Sequence, residues 1–80
     1  MKKQVRYYDL RALKGLLKEK NINYELLSKD TNISISALNN KLNGYSVFDT
    51  NEVDRIVAYL QINPEDIIIY FFPQMLRSAT

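Results

Sequence analysis

Residues 23–44 read NYELLSKDTNISISALNNKLNG, and this stretch decides the fold. Asn23 is a polar cap in front of a helix predicted over residues 24–31, whose Leu26 and Leu27 supply apolar side chains. Asn32 follows where the chain must turn, and asparagine tolerates a left-handed backbone better than most non-glycine residues. Ile33 is an apolar plug. Ser34 caps a second helix, residues 35–42, with Leu38 and Leu42 one turn apart on its inner face. Asn43-Gly44 stops that helix. Its outer face carries Ile35, Ser36, Ala37, Asn39, Asn40 and Lys41. That face is small, rich in amides and carries one positive charge, a composition suited to hydrogen bonding along base edges rather than to catalysis.

The flanks extend the helical pattern. Asp9 is placed to cap a first helix running to about Lys20, with Leu10, Ala12, Leu13, Leu16 and Leu17 as its apolar stripe. Gly15 in its middle costs on the order of 1 kcal/mol relative to Ala, so it is expected where another helix comes close. Asn21 is a left-handed stop and Ile22 a returning anchor. After Gly44, Val47 and Phe48 are expected to plug the core. Asp49 with Glu52 makes a capping box ahead of a fourth helix bearing Val53, Ile56, Val57 and Leu60. Asn63-Pro64-Glu65-Asp66 is the start signal of a fifth, short helix ending near Tyr70 or Phe71. The isoleucines and aromatics of residues 67–72 are also strand-prone, and a short strand with residues 5–8 is the competing arrangement. The chain divides into an arm, 1–8, a helical domain, 9–73, and a tail, 74–80. Five short helices with brief connections make an all-α domain.

Composition removes whole classes of function. Eighty residues make one small domain. With no cysteine and no histidine there are no disulfides, thiolate nucleophiles or imidazole bases and ligands. Two glycines cannot build a phosphate-cradling loop. Neither an enzyme nor a cofactor is expected. No apolar run is long enough to span a bilayer, and no apolar segment of a secretory signal follows the basic N-terminus, so the expected address is the cytoplasm. The net charge of +2 is unevenly placed: residues 1–20 hold seven Lys or Arg against two acids, and the remainder four against seven. A basic N-terminal third suits a phosphate-facing arm and first helix, with Lys2, Lys3 and Arg6 at its tip. A merely solvated tail gives the same composition.

On residues 10–62 the chain resembles the Cro/C1 (XRE-type) helix-turn-helix family of phage repressors and Cro proteins. The resemblance is carried by Asn23, Glu25-Leu26-Leu27, Asn32, Ile33, Ser34 and Asn43-Gly44. The sequences LNG and PEDIIIYFF are further similar to small Cro-like proteins of prophages in Gram-positive bacteria. Three departures stand out. Asn32 replaces the turn glycine, and Ser28 a common alanine. Leu17 and Leu42 occupy positions where many members bury an Arg–Glu pair, and exchanging both charges together leaves neither unpaired.

The resemblance implies a compact lambda-repressor-like fold with its helix-turn-helix at helices 2 and 3. It implies double-stranded DNA as partner, read by Ile35, Ser36 and Asn40 with Ala37 and Asn39 nearby, and no small-molecule ligand. Asn40 is the leading reader, since an asparagine amide pairs with adenine N6 and N7. Phosphate contacts would come from Asn23, Tyr24, Ser34, Lys41, Asn43 and Tyr45 together with Lys2, Lys3 and Arg6. Dimers on two-fold symmetric operators are the family habit, and Tyr70, Phe71, Phe72 and Met75 are the expected dimer surface. The competing reading is a protein-interaction module, antitoxin- or antirepressor-like, that docks through this same aromatic run.

Overall fold

The computed structural model describes residues 7–76. Its helices are α1, Arg11–Glu19; α2, Tyr24–Thr31; α3, Ile35–Leu42; α4, Thr50–Leu60; and α5, Ile67–Phe71. Short 3₁₀ turns at Pro64–Asp66 and Pro73–Met75 flank α5. Among the described residues there is no strand, so the helical arrangement holds over the competing one. No described helix is long and apolar enough to cross a membrane. α2 packs on both α3 and α4, while α1 packs on α5 and α3.

Side-chain caps set most of the helix starts. Asn23 Oδ1 accepts from the Leu26 amide at 2.8 Å. Ser34 Oγ accepts from the Ala37 amide at 3.1 Å. At α4 the capping box is reciprocal: Asp49 accepts from the Glu52 amide at 2.7 Å, and Glu52 accepts from the Asp49 amide at 2.9 Å. Two expected caps are absent. Asp9 does not cap α1; its carboxylate is drawn to Lys14 Nζ, 2.6 Å away, and the helix starts from Leu10 without a side-chain cap. Asn63 does not cap through its side chain either. The Pro64–Asp66 turn is 3₁₀, and the Asn63 carbonyl accepts from the Asp66 amide at 2.9 Å.

Left-handed residues make the stops. Asn21, Asn32 and Gln61 have φ of 59°, 59° and 57°, and Gly44 has 85°. After three of them the next amide closes the helix end by donating to a carbonyl five residues back: Ile22 to Leu17, Tyr45 to Asn40 and Ile62 to Val57. Ile22 and Ile62 then fold back onto the core. Asn32 and the buried Ile33 form the turn between α2 and α3.

The core is built on Leu13, Leu27, Leu38, Leu42 and Ile56, all fully buried. Leu17 joins them at 3% exposure, so Leu17 and Leu42 occupy apolar surroundings together. Thr31 is also fully buried, and its hydroxyl donates to the Leu27 carbonyl at 2.6 Å. Phe48 packs edge-on against Phe71, ring centroids 6.0 Å apart. Three side chains expected inside lie at the surface: Ala12, Leu26 and Val47. The packed side of α2 is supplied by Leu27 and Thr31 instead, and Phe48 alone fills the place assigned to the Val47-Phe48 pair.

The two glycines differ. A Cβ at Gly15 would meet nothing within 4 Å, so no helix approaches there. A Cβ at Gly44 would stand 2.9 Å from the Tyr7 carbonyl oxygen and 3.2 Å from the Asp9 nitrogen. Gly15→Ala should therefore stabilise the domain by roughly 0.5–1 kcal/mol. Gly44→Ala should destabilise it by about 2–3 kcal/mol, through left-handed strain and displacement of residues 7–9. Urea melts of the two variants measure both. A second expectation concerns pH. The Tyr59 hydroxyl is pushed above its ordinary value of 10.0, first by lost hydration and then by its hydrogen bond to Asp30 and the Asp30 negative charge. Because the folded value lies above the unfolded one, this contribution is complete below the unfolded value and fades as pH rises through the folded one. Tyr59→Phe should remove that part of the stability loss in melts taken between about pH 9 and 11.

Candidate nucleic-acid interface

The turn at Asn32-Ile33 sets α3 beside α2 and leaves one side of α3 in solvent. Ile35 is 47% exposed, and Ser36 and Asn39 are exposed with it. Asn40 is half-buried and has a partner within the protein. Ala37 is half-buried against the core, so its methyl serves packing as well as surface. The outer face is therefore narrower than the sequence indicates, with Ile35, Ser36 and Asn39 its most open members.

The capping residues of α2 and α3, Asn23 and Ser34, are both exposed. Each satisfies one amide of its helix and leaves others in the first turn directed outward, at the positive end of the helix dipole. Tyr24 packs partly on the core. Tyr45, just past α3, is half-buried. Lys2, Lys3 and Arg6 lie outside the described residues, whereas Arg11 and Lys18 on α1, Lys20 just after it and Lys29 on α2 are exposed.

Besides Asn23 and Ser34, which cap their helices, and Tyr45, which has a partner of its own, two more of the expected phosphate ligands are engaged within the protein. Lys41 Nζ lies 2.6 and 2.8 Å from the Glu52 carboxylate oxygens and 5.8 Å from the Phe48 ring centre. Its side chain is 19% exposed and that of Glu52 12%. Lys41 thus faces inward and ties α3 to α4, a correction to its placement on the outer face. The reason is local: Glu52 is held in the first turn of α4 by the capping box, within reach of the last turn of α3. Asn43 is likewise engaged. Its Oδ1 accepts from Lys14 Nζ at 2.7 Å, and its Nδ2 donates to the carbonyl and Oδ1 of Asn39 at 2.8 and 3.1 Å.

The expected dimer residues also separate. Phe71 is 6% exposed and belongs to the core, where Phe48 covers it. Tyr70 is half-buried on the core. Phe72 and Met75 are exposed at 37% and 55%. An apolar cleft lies beside them, lined by Tyr7, Tyr8, Leu10, Phe48, Phe71 and Phe72. Among the described residues, no group of three His, Cys, Asp or Glu side chains is placed to hold a metal ion.

A turn linking two short helices, the second with an exposed polar face, leads to the comparison with known families. The model of the Cro/C1-type helix-turn-helix DNA-binding domain matches residues 11–73. The chain belongs to this family. No curated protein and no solved structure matches it. In Cro/C1-type terms α2 and α3 are the helix-turn-helix, and the matched span reaches from the start of α1 past the end of α5.

The roles of Asp9, Lys14 and Glu52 escape a reading of the sequence. Lys14 and Asn43 are 29 residues apart, and no periodicity links them. Only Glu52 leaves a trace, as the acid of a capping box a short loop after Lys41. The inward placement of Lys41 has a measurable consequence. Lys41→Met leaves a largely buried carboxylate without its ion pair and should cost about 1–3 kcal/mol of stability in urea melts. The slope of log affinity against log salt on duplex DNA should stay unchanged, whereas loss of a phosphate-bound lysine would reduce it by about 1.

Proposed function

We propose that this Cro/C1-type domain is a sequence-specific transcription regulator, Cro- or repressor-like, that acts by occupying a DNA operator with α3 in the major groove. One observation carries the proposal: α3 is anchored by Leu38 and Leu42 on one side and presents Ile35, Ser36 and Asn39 to solvent on the other. Asn40 lies between these sides and keeps its role as reader of adenine through its side-chain amide. Ile35 faces a thymine methyl. Two successive asparagines inside a helix support a demand other than helix stability, because asparagine is a poor helix former.

Affinity in this proposal comes from phosphates. The open first turns of α2 and α3 at Asn23 and Ser34, with Tyr24 and Tyr45 beside them, receive phosphate oxygens. Lys2, Lys3 and Arg6, with the exposed bases of α1, supply the long-range attraction. A two-fold symmetric operator bound by a homodimer follows from the small number of bases one helix covers. Of the residues expected at the dimer surface, Phe72 and Met75 are the exposed ones, with Ile68, Ile69 and Leu76 exposed beside them. The phage or prophage setting rests on likeness of sequence.

A second reading has its own support. The cleft bordered by Tyr7, Tyr8, Phe48 and Phe72 is apolar and continuous with the exposed Phe72. It suits a protein-interaction module of the antitoxin or antirepressor kind.

Selection from random duplex DNA separates the two. The regulator reading expects an enriched motif with half-sites about one turn apart. Asn40→Ala should then weaken the selected operator by about 1–3 kcal/mol and random DNA hardly at all. Equal loss on both would remove the base-reading role of Asn40. Absence of any enriched motif would transfer the proposal to the interaction module.

A further inference from the structure

The side-chain amide of Asn39 is held in one sense by a row of bonds that starts on another element. Asp9 Oδ1 lies 2.6 Å from Lys14 Nζ. The same ammonium donates to Asn43 Oδ1 at 2.7 Å. An ammonium has three donors and no acceptor, so only the carbonyl end of the Asn43 amide satisfies it. Asn43 therefore turns Nδ2 the other way, where it donates to the Asn39 carbonyl at 2.8 Å and to Asn39 Oδ1 at 3.1 Å. That NH₂ group donates only, so Asn39 must meet it with its oxygen. The end of Asn39 directed away from Asn43 is the Nδ2 donor.

We propose that this relay makes Asn39 a donor-only reader of base edges, with Lys14 as its positioning residue. The inference rests on the DNA-binding reading above and specifies its chemistry. In the major groove guanine offers the acceptors N7 and O6, and thymine offers O4. Cytosine offers the N4 donor, and adenine sets its N6 donor beside N7. An outward NH₂ group matches guanine or thymine and meets cytosine donor against donor. The bidentate pair with adenine needs both ends of an amide, and one end of Asn39 is taken by Asn43. Pairing with adenine is thereby left to Asn40. Lys14 touches no base in this scheme; it acts by removing one of the two amide orientations of Asn43.

The experiment is operator selection from random duplex DNA by the full chain as wild type, Asn39→Ala, Lys14→Met and Asn43→Asp, each first checked by its thermal melt. Asn39→Ala locates the base position that Asn39 reads. There the wild type should favour guanine or thymine over cytosine by about tenfold. Lys14→Met lets the Asn43 amide rotate, and the preference should shrink to within roughly twofold of none. Asn43→Asp keeps an acceptor for Lys14 but turns a second acceptor on Asn39. Asn39 must then donate inward and present Oδ1, and the preference should move to cytosine or adenine. Ratios between bases are the readout, so a uniform loss of affinity from altered charge does not enter.

The relay is overturned if Asn39→Ala changes no position of the motif. It is equally overturned if Lys14→Met and Asn43→Asp keep the wild-type base at the Asn39 position, and in both cases the DNA reading stands. If the wild type enriches no motif, the DNA reading itself fails and the relay falls with it.

Discussion

The carboxyl end of α3 is closed by Gly44 at φ 85°, and the placement of the exposed face of α3 depends on what that closure admits. The backbone of residues 7–9 passes so close that a Cβ would meet it at 2.9 Å. Two backbone bonds hold it there, with the Tyr7 amide donating to the Gly44 carbonyl at 2.9 Å and the Leu10 amide to the Leu42 carbonyl at 3.0 Å. The carbonyls at a helix end need partners that the helix cannot supply. Here the segment entering α1 gives one of them. The start of α1 and the end of α3 are thus joined through main chain before any side chain is counted.

Side chains complete the clamp from two further directions. Lys41 reaches α4 through Glu52, and Lys14 reaches α3 through Asn43. Both ammonium groups sit near the negative end of the α3 dipole, where positive charge is favourable. Glu52 has two tasks, capping α4 and pairing with Lys41, so the start of α4 is fixed relative to the end of α3. Leu38 and Leu42 beneath, both fully buried, leave α3 little freedom to roll. For the proposed function, a surface held this way lowers the ordering cost of binding, which is otherwise set against every contact made with a partner.

Under the proposed function, the charge placement divides affinity from discrimination. α3 exposes few charges because its one lysine is turned inward, so the exposed cations of the described residues lie mainly on α1 and α2. Positive charge attracts any duplex alike, while amides and hydroxyls distinguish bases. Separating them on different elements lets the exposed face of α3 stay small and polar without losing attraction to phosphate. The aromatic run near the C-terminus is divided too: Phe71 fills the core, whereas Phe72 and Met75 remain outside.

Much of this molecule is legible in one sequence, because the relevant forces act over a few residues. The Asn23, Ser34 and Asp49–Glu52 caps, the left-handed stops at Asn21, Asn32 and Gly44, and the heptad-like leucines all express local geometry. They suffice for the helix order and for the helix-turn-helix. What the chain does with Asp9, Gly15, Lys41, Leu26 and Phe71 was decided elsewhere. A carboxylate takes a cap or an ion pair according to which partner the fold brings within 3 Å, and Lys14 supplied it to Asp9. A lysine on a helix faces solvent or a neighbour according to what the next helix presents, and α4 presented Glu52 to Lys41. Helical periodicity marks an apolar stripe but not its edges, so Leu26 fell outside and Phe71 inside. Sequence alone determined where α3 begins and ends; tertiary structure decided which of its side chains stay outward, because that choice belongs to contacts between residues far apart in the chain.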